Sequence, residues 1–134
     1  MSGTYVIRGV RPVGAAALDL VVADGLIQEM GSGLSRAGAQ VIDADGLIAL
    51  PGLVDLHTHL REPGYEASET ILTGSRAGAA GGYTALFAMP NTSPVADTAG
   101  VVEQELALGE AAGYATGQPI GAVTAGQKGE RLAE

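Results

Sequence analysis

Residues 51–64 read Pro51-Gly52-Leu53-Val54-Asp55-Leu56-His57-Thr58-His59-Leu60-Arg61-Glu62-Pro63-Gly64, and the fold turns on them. The Pro-Gly pair is a break, residues 53–56 read as a buried strand, and a dense set of reactive side chains follows where that strand runs out. Downstream the rhythm is strand, helix, strand, the mark of parallel α/β architecture. Ser68 is placed to cap a helix reaching about Ala80, with Ile71 and Leu72 facing the sheet, Ala79 and Ala80 allowing close approach, and Gly81-Gly82 ending it. Residues 83–89 form the next strand, closed by Pro90. Asp97 or Thr98 caps a second helix carrying Val101, Val102, Leu106 and Ala112, which Gly113 terminates. A third strand is expected over 119–123, then a loop entering a third helix over 127–134.

Upstream of Pro51 the rhythm is strand-turn-strand, with extended runs at 5–9, 17–22, 26–30, 40–42 and 47–50. Asp24-Gly25, between two apolar runs, predicts a type I′ hairpin turn, and Asp45-Gly46 offers a second turn of the same chemistry. Residues 31–38 read as an exposed loop. The expected division is a small β domain over 1–50 and an α/β region over 51–134. Three parallel strands are too few for a self-sufficient sheet of this kind, so the expectation is a region that breaks off before its architecture is complete.

The 134 residues carry a net charge of −8 and 46% apolar side chains, a globular composition without a basic patch. That argues against a nucleic-acid or anionic-membrane partner and leaves a small-molecule site or a protein interface. No run approaches the roughly 18 apolar residues of a membrane span, and the first residues lack the basic start and apolar stretch of a signal peptide, so a cytoplasmic location is expected. Cysteine is absent. Any metal must therefore be held by carboxylates and by the two histidines.

Those histidines are His57 and His59. Alternation along a strand puts 55, 57, 59 and 61 on one side, with ring-bearing carbons roughly 6–7 Å apart at i and i+2, close enough to converge on one ion. Taken alone, a His-X-His pair is as compatible with a structural role; its place at a strand end, before a loop, is where α/β barrels keep their active sites. Asp55, two residues deeper, reads as a carboxylate that orients a ligating ring rather than as a ligand. The Arg61 guanidinium suits a carboxylate or phosphate, with a salt bridge to Glu62, Glu66 or Glu69 as the competing role. Asn91, between Pro90 and Pro94, offers a donor and an acceptor to a ligand, or simply forms a turn. Thr124 and residues 127–129 receive no role.

The 51–64 run resembles the start of the barrel in the amidohydrolase superfamily, and more closely the dihydroorotases. Glu69-Thr70-Ile71 with Thr73-Gly74, Gly81-Gly82-Tyr83-Thr84, Met89-Pro90-Asn91-Thr92, and Pro119-Ile120-Gly121-Ala122-Val123-Thr124 with Gly126 and Gly129-Glu130 fit that family at matching spacing. The resemblance implies an incomplete TIM-type (β/α)8 barrel, first three strands only, behind a small β-sandwich unit. It implies zinc, one or two ions, on His57 and His59, with His59, Arg61 and Asn91 binding dihydroorotate or N-carbamoyl-aspartate in the reversible cyclic amide hydrolysis of pyrimidine biosynthesis. The remaining ligands and the proton-shuttling Asp of such enzymes lie on later strands, so no catalytic residue is assigned here and these 134 residues alone are expected to be inactive. Another cyclic amidohydrolase, an allantoinase or hydantoinase, and a non-catalytic dihydroorotase-like subunit supporting a transcarbamoylase are the competing readings. A homo-oligomer or a transcarbamoylase partner fits the resemblance.

Overall fold

The computed structural model describes residues 3–134, which divide into two compact units, 3–51 and 52–134. In the first, β1 (Tyr5–Pro12) is flanked by β2 (Leu18–Ala23), which runs antiparallel to it and continues into β3 (Leu26–Gly31). Asp24 and Gly25 both take positive φ, 53° and 75°, as a type I′ turn requires. On the other edge of β1, β4 (Gln40–Asp43) and then β5 (Ile48–Ala49) pair parallel to it. Asp45-Gly46 is therefore no hairpin. Leu47 N–H donates to the Ala44 carbonyl at 2.9 Å and only Gly46 has positive φ, the pattern of a type II turn.

The expected sandwich is instead one five-stranded mixed sheet, order β3-β2-β1-β4 with β5 beside β1. The reason is the irregularity in β1 between Ile7 and Val10, which lets its first half hold β4 and its second half hold β5. The Asp19 carboxylate fixes this bend, accepting from Gly9 N–H and Leu34 N–H at 3.0 Å each, and the Gly9 bond foremost lowers its pKa. Val10, Leu20 and Ala44 bury together on one face, while the cross-strand pair Val6 and Val21 is buried on the other.

The second unit runs β6 (Leu53–Thr58), α1 (Ile71–Ala80), β7 (Tyr83–Ala88), α2 (Ala99–Ala112), β8 (Thr116–Pro119), with the strands parallel in the order β6-β7-β8. Leu60, Ile71, Leu86, Ala88 and Ala115 make its core, with Tyr83 and Leu108 packed against them. Helix α1 starts at Thr70 rather than Ser68, because turns through Arg61, Tyr65 and Ser68 delay it. Thr70 accepts from Thr73 N–H and donates its own N–H to the Thr73 hydroxyl, each at 3.1 Å, a reciprocal capping box. Its inner face is Ile71, Gly74, Ser75 and Gly78; Leu72 is 51% exposed, and close approach comes from the two glycines rather than Ala79 and Ala80. A Cβ at Gly74 would lie 2.6 Å from Leu60 and one at Gly78 2.9 Å from Leu86.

Three further expectations need correction. Residues 53–56 form a strand but not a buried one: Leu53, Val54 and Leu56 are 47%, 52% and 67% exposed, because β6 pairs along one edge only. The third strand lies at Thr116–Pro119, three residues earlier than expected, since the polar run Thr-Gly-Gln-Pro pairs with β7 while the apolar 120–123 continues as irregular chain. No third helix occurs within 127–134. A 3-10 turn spans Ala125–Gln127, and Thr124 bridges to Leu132. Helix α2 does follow Thr98 and ends at Gly113 in the left-handed conformation, φ 68°, but neither Thr98 nor Asp97 caps it through a side-chain hydrogen bond, the Asp97 carboxylate being bonded to Gly126 N–H.

Candidate functional site

The loops after all three parallel strands meet at the strands' carboxyl ends, where ligands gather in α/β sheets. Main-chain hydrogen bonds tie the rim together. Ser93 N–H donates to the Pro63 carbonyl at 3.0 Å, joining the first loop to the second, and Ala122 N–H donates to the Ala96 carbonyl at 2.7 Å, joining the second to the third. Gly126 N–H reaches the Asp97 carboxylate at 2.6 Å. Gly64 is required at the first junction, since its φ is 96° and a Cβ would fall within the backbone of Ser93.

His57 is on β6 and His59 just past its end. Their rings come together, with centroids 5.3 Å apart and planes at 67°. The Asn91 side chain crosses from the second loop, and its Oδ1 lies 2.9 Å from His59 Nδ1. With the amide oxygen accepting the Nδ1 proton, His59 keeps its Nε2 lone pair for a metal or substrate, and Asn91 keeps its two amide hydrogens as donors. Asp55 does not reach either ring: its Oδ1 accepts the His57 backbone N–H at 3.0 Å, a local turn bond. Among the described residues no group of three or more His, Asp or Glu side chains gathers in metal-ligating range, so the chain brings the two imidazoles alone.

Arg61, Tyr65, Asn91, Thr92, Val95 and Gln127 line a cavity of about 510 Å³. The salt bridges that competed for Arg61 are not made. Glu62, Glu66 and Glu69 instead accept the backbone N–H groups of Ile71, Gly64 and Thr70 at 2.9, 2.7 and 3.1 Å, and the Gly64 bond lowers the Glu66 pKa. Among the described residues the ion pair that does form, Arg36 with Glu29, belongs to the first unit. The Arg61 guanidinium thus lines a cavity in an acidic chain with no carboxylate of its own, a natural seat for an anion. Arg61 and Gln127 both have left-handed backbones, φ 61° and 57°, strain of the sort that collects where surroundings hold a side chain at a site.

The structure therefore brings His57, His59, Arg61 and Asn91 to one end of the sheet. Sequence reasoning missed Tyr65, Thr92 and Gln127 as cavity residues; Tyr65 and Thr92 stood in the motifs, but nothing in their spacing marked them as lining. It also missed Glu105, buried on α2, whose Oε1 lies 3.3 Å from the Thr92 hydroxyl. The available signal was a carboxylate at a position that the helical repeat gives to the sheet.

A family profile described as dihydro-orotase-like matches residues 46–134. A dihydroorotase of Leifsonia xyli is 72% identical over 131 residues, 98% of this chain and 30% of that protein, and one of Streptomyces coelicolor is 59% identical over 96% of this chain and 30% of that protein. The chain thus spans about 30% of the length of these curated relatives. In structure it is similar to an L-hydantoinase (dihydropyrimidinase) from Arthrobacter aurescens, TM-score 0.69 at 25% identity, over 81% of this chain and 25% of that one.

Proposed function

The chain belongs to the dihydro-orotase-like family, and from that premise we propose that it is the segment of a dihydroorotase that binds the substrate's carboxylate and supplies the first two metal ligands. In this reading β6, β7 and β8 are the first three strands of a TIM-type (β/α)8 barrel, and the reaction is the reversible cyclic amide hydrolysis interconverting N-carbamoyl-L-aspartate and dihydroorotate. The observation that carries it is the shared cavity of Arg61 and Asn91, with Asn91 bonded to His59. An anion-binding fork and an imidazole pair are thereby linked through one side chain.

The residues suit zinc: two imidazoles with converging rings, one bonded at Nδ1 to the Asn91 side chain, and no thiolate in the chain. His57 and His59 would hold it as part of a ligand set that this segment does not complete. An ion held there would supply Lewis acidity for the amide carbonyl and would lower the pKa of a bound water to about 7. Arg61 binds the ring carboxylate through two parallel N–H groups and so fixes the rotation of the substrate about that anchor. Asn91 adds amide N–H donors from the opposite loop while its oxygen keeps the His59 ring in register. Tyr65 and Val95 line the same cavity.

The test is an assay of the intact protein with dihydroorotate, allantoin and hydantoin. Turnover of dihydroorotate alone, abolished by chelator and restored by zinc, is expected. Preference for either other ring overturns the substrate assignment, and chelator-resistant turnover overturns the metal's role.

A further inference from the structure

Helix α2 carries one side chain that the chemistry above does not use. Glu105 is 3% exposed, and its Oε2 has no hydrogen-bond partner among the described residues. Its Oε1 lies 3.3 Å from the hydroxyl of Thr92, itself buried. That hydroxyl has a single proton and three acceptor oxygens around it: the Pro94 carbonyl at 2.8 Å, Glu105 at 3.3 Å and the Pro90 carbonyl at 3.5 Å. The proton belongs to Pro94, the only one of the three at the length of a firm hydroxyl bond. The contact with Glu105 is then acceptor against acceptor unless the carboxyl brings a proton of its own. A neutral carboxyl donates to Thr92 Oγ1 and leaves Oε2 as an uncharged oxygen; a carboxylate here would be a buried charge facing a lone pair.

Among the described residues no cation shifts the Glu105 carboxyl, Arg61 on the cavity that Thr92 lines included. Of the elements packed against α2, β8 carries no titratable group and α1 only Arg76, which is exposed; Asp97, in the loop before α2, is committed to Gly126. Glu103 and Glu110 on α2 itself are exposed. Burial accordingly pushes the Glu105 carboxyl up to about 7.

We propose that Glu105, as a neutral carboxyl donating to Thr92, is a positioning residue that pins the 90–95 loop and thereby sets where Asn91 meets the substrate. Thr92 is the residue after Asn91, so a shift of its hydroxyl is a shift of the amide that spans His59 and the cavity. Ionisation of Glu105 removes the donor and loosens the loop. The proposal rests on the dihydroorotase reading for its kinetic arm only.

The test uses the intact protein and two variants. Glu105→Gln keeps a donor of the same shape that does not titrate; Glu105→Leu keeps the volume and removes the donor. For dihydroorotate, KM of Glu105→Gln is expected to match the wild type at pH 6 and to be about three- to tenfold lower than the wild type at pH 8.5, the worth of one hydrogen bond. Glu105→Leu is expected to have KM raised by a similar factor at pH 6, with kcat changed less. An infrared difference spectrum, wild type minus Glu105→Gln, reads the same group without turnover and should show a protonated carboxyl at pH 6 that is lost by pH 8.5. An ionised carboxyl at pH 6, or identical pH profiles for wild type and Glu105→Gln, overturns the proposal. Absence of dihydroorotate turnover with the infrared signature intact fails the substrate reading and leaves the buried donor standing.

Discussion

Arg61 and Glu105 are opposite uses of a charged residue. Arg61 is held in a strained backbone so that its charge stays available, because the three glutamates around it are occupied by amide hydrogens. Replacing it with alanine in the intact protein removes a charge-assisted, bidentate contact worth about 1.5–3 kcal/mol, so kcat/KM for dihydroorotate should fall roughly 10- to 100-fold, with lysine restoring only part. Steady-state kinetics with the two variants decides it. Glu105 makes a stability prediction. Its folded pKa is raised from 4.5 to about 7, so the unfolded chain releases the proton first. The Glu105 contribution to stability is fully present below about pH 4.5 and is lost as pH rises through about 7, at a cost on the order of 3 kcal/mol. Urea unfolding across that range should show the decline in the wild type and not in Glu105→Gln.

At the scale of elements, α1 and the turns show what local chemistry decides. The capping box at Thr70 should be worth about 1 kcal/mol, measurable as a lowered urea midpoint in Thr70→Ala. Gly74→Ala should cost about 1–3 kcal/mol by the same measurement, because its Cβ would crowd the buried Leu60. The sequence made the hairpin at Asp24-Gly25 and the helix end at Gly113 legible because one residue's φ decides each. It misled where neighbours decide. The 120–123 run has the apolar look of a strand, yet β8 is the polar stretch before it, since backbone pairing with β7 outweighs composition. Ser68 looks like a cap until the turn at Tyr65 occupies its amide. In the site, the His pair and Arg61 stood out as a motif, but strand alternation did not place them, because β6 ends at Thr58 with its register shifted after Asp55 and Arg61 turns left-handed in the loop beyond; the Thr92 to Glu105 contact depends on how α2 packs, which periodicity does not fix.

At the scale of the molecule, the parallel sheet has two unpaired edges, β6 and β8, and apolar side chains stand exposed along β6. Expressed by itself, the 134-residue polypeptide should self-associate through those edges. Light scattering across a dilution series should show mass rising with concentration, and a monomer at all concentrations contradicts this. The same polypeptide should hydrolyse no dihydroorotate, since two imidazoles do not complete a catalytic zinc site.

The rim of the cavity is stitched by main-chain amides and carbonyls, Ser93 to Pro63 and Ala122 to Ala96, rather than by the side chains that line it. Apart from Thr92, whose hydroxyl also holds the 90–95 loop, frame and lining are therefore separable. Evolution or an engineer can exchange Tyr65, Val95 or Gln127 to accommodate a different ring while the mouth keeps its shape, which makes this rim a tolerant chassis for altered substrate preference.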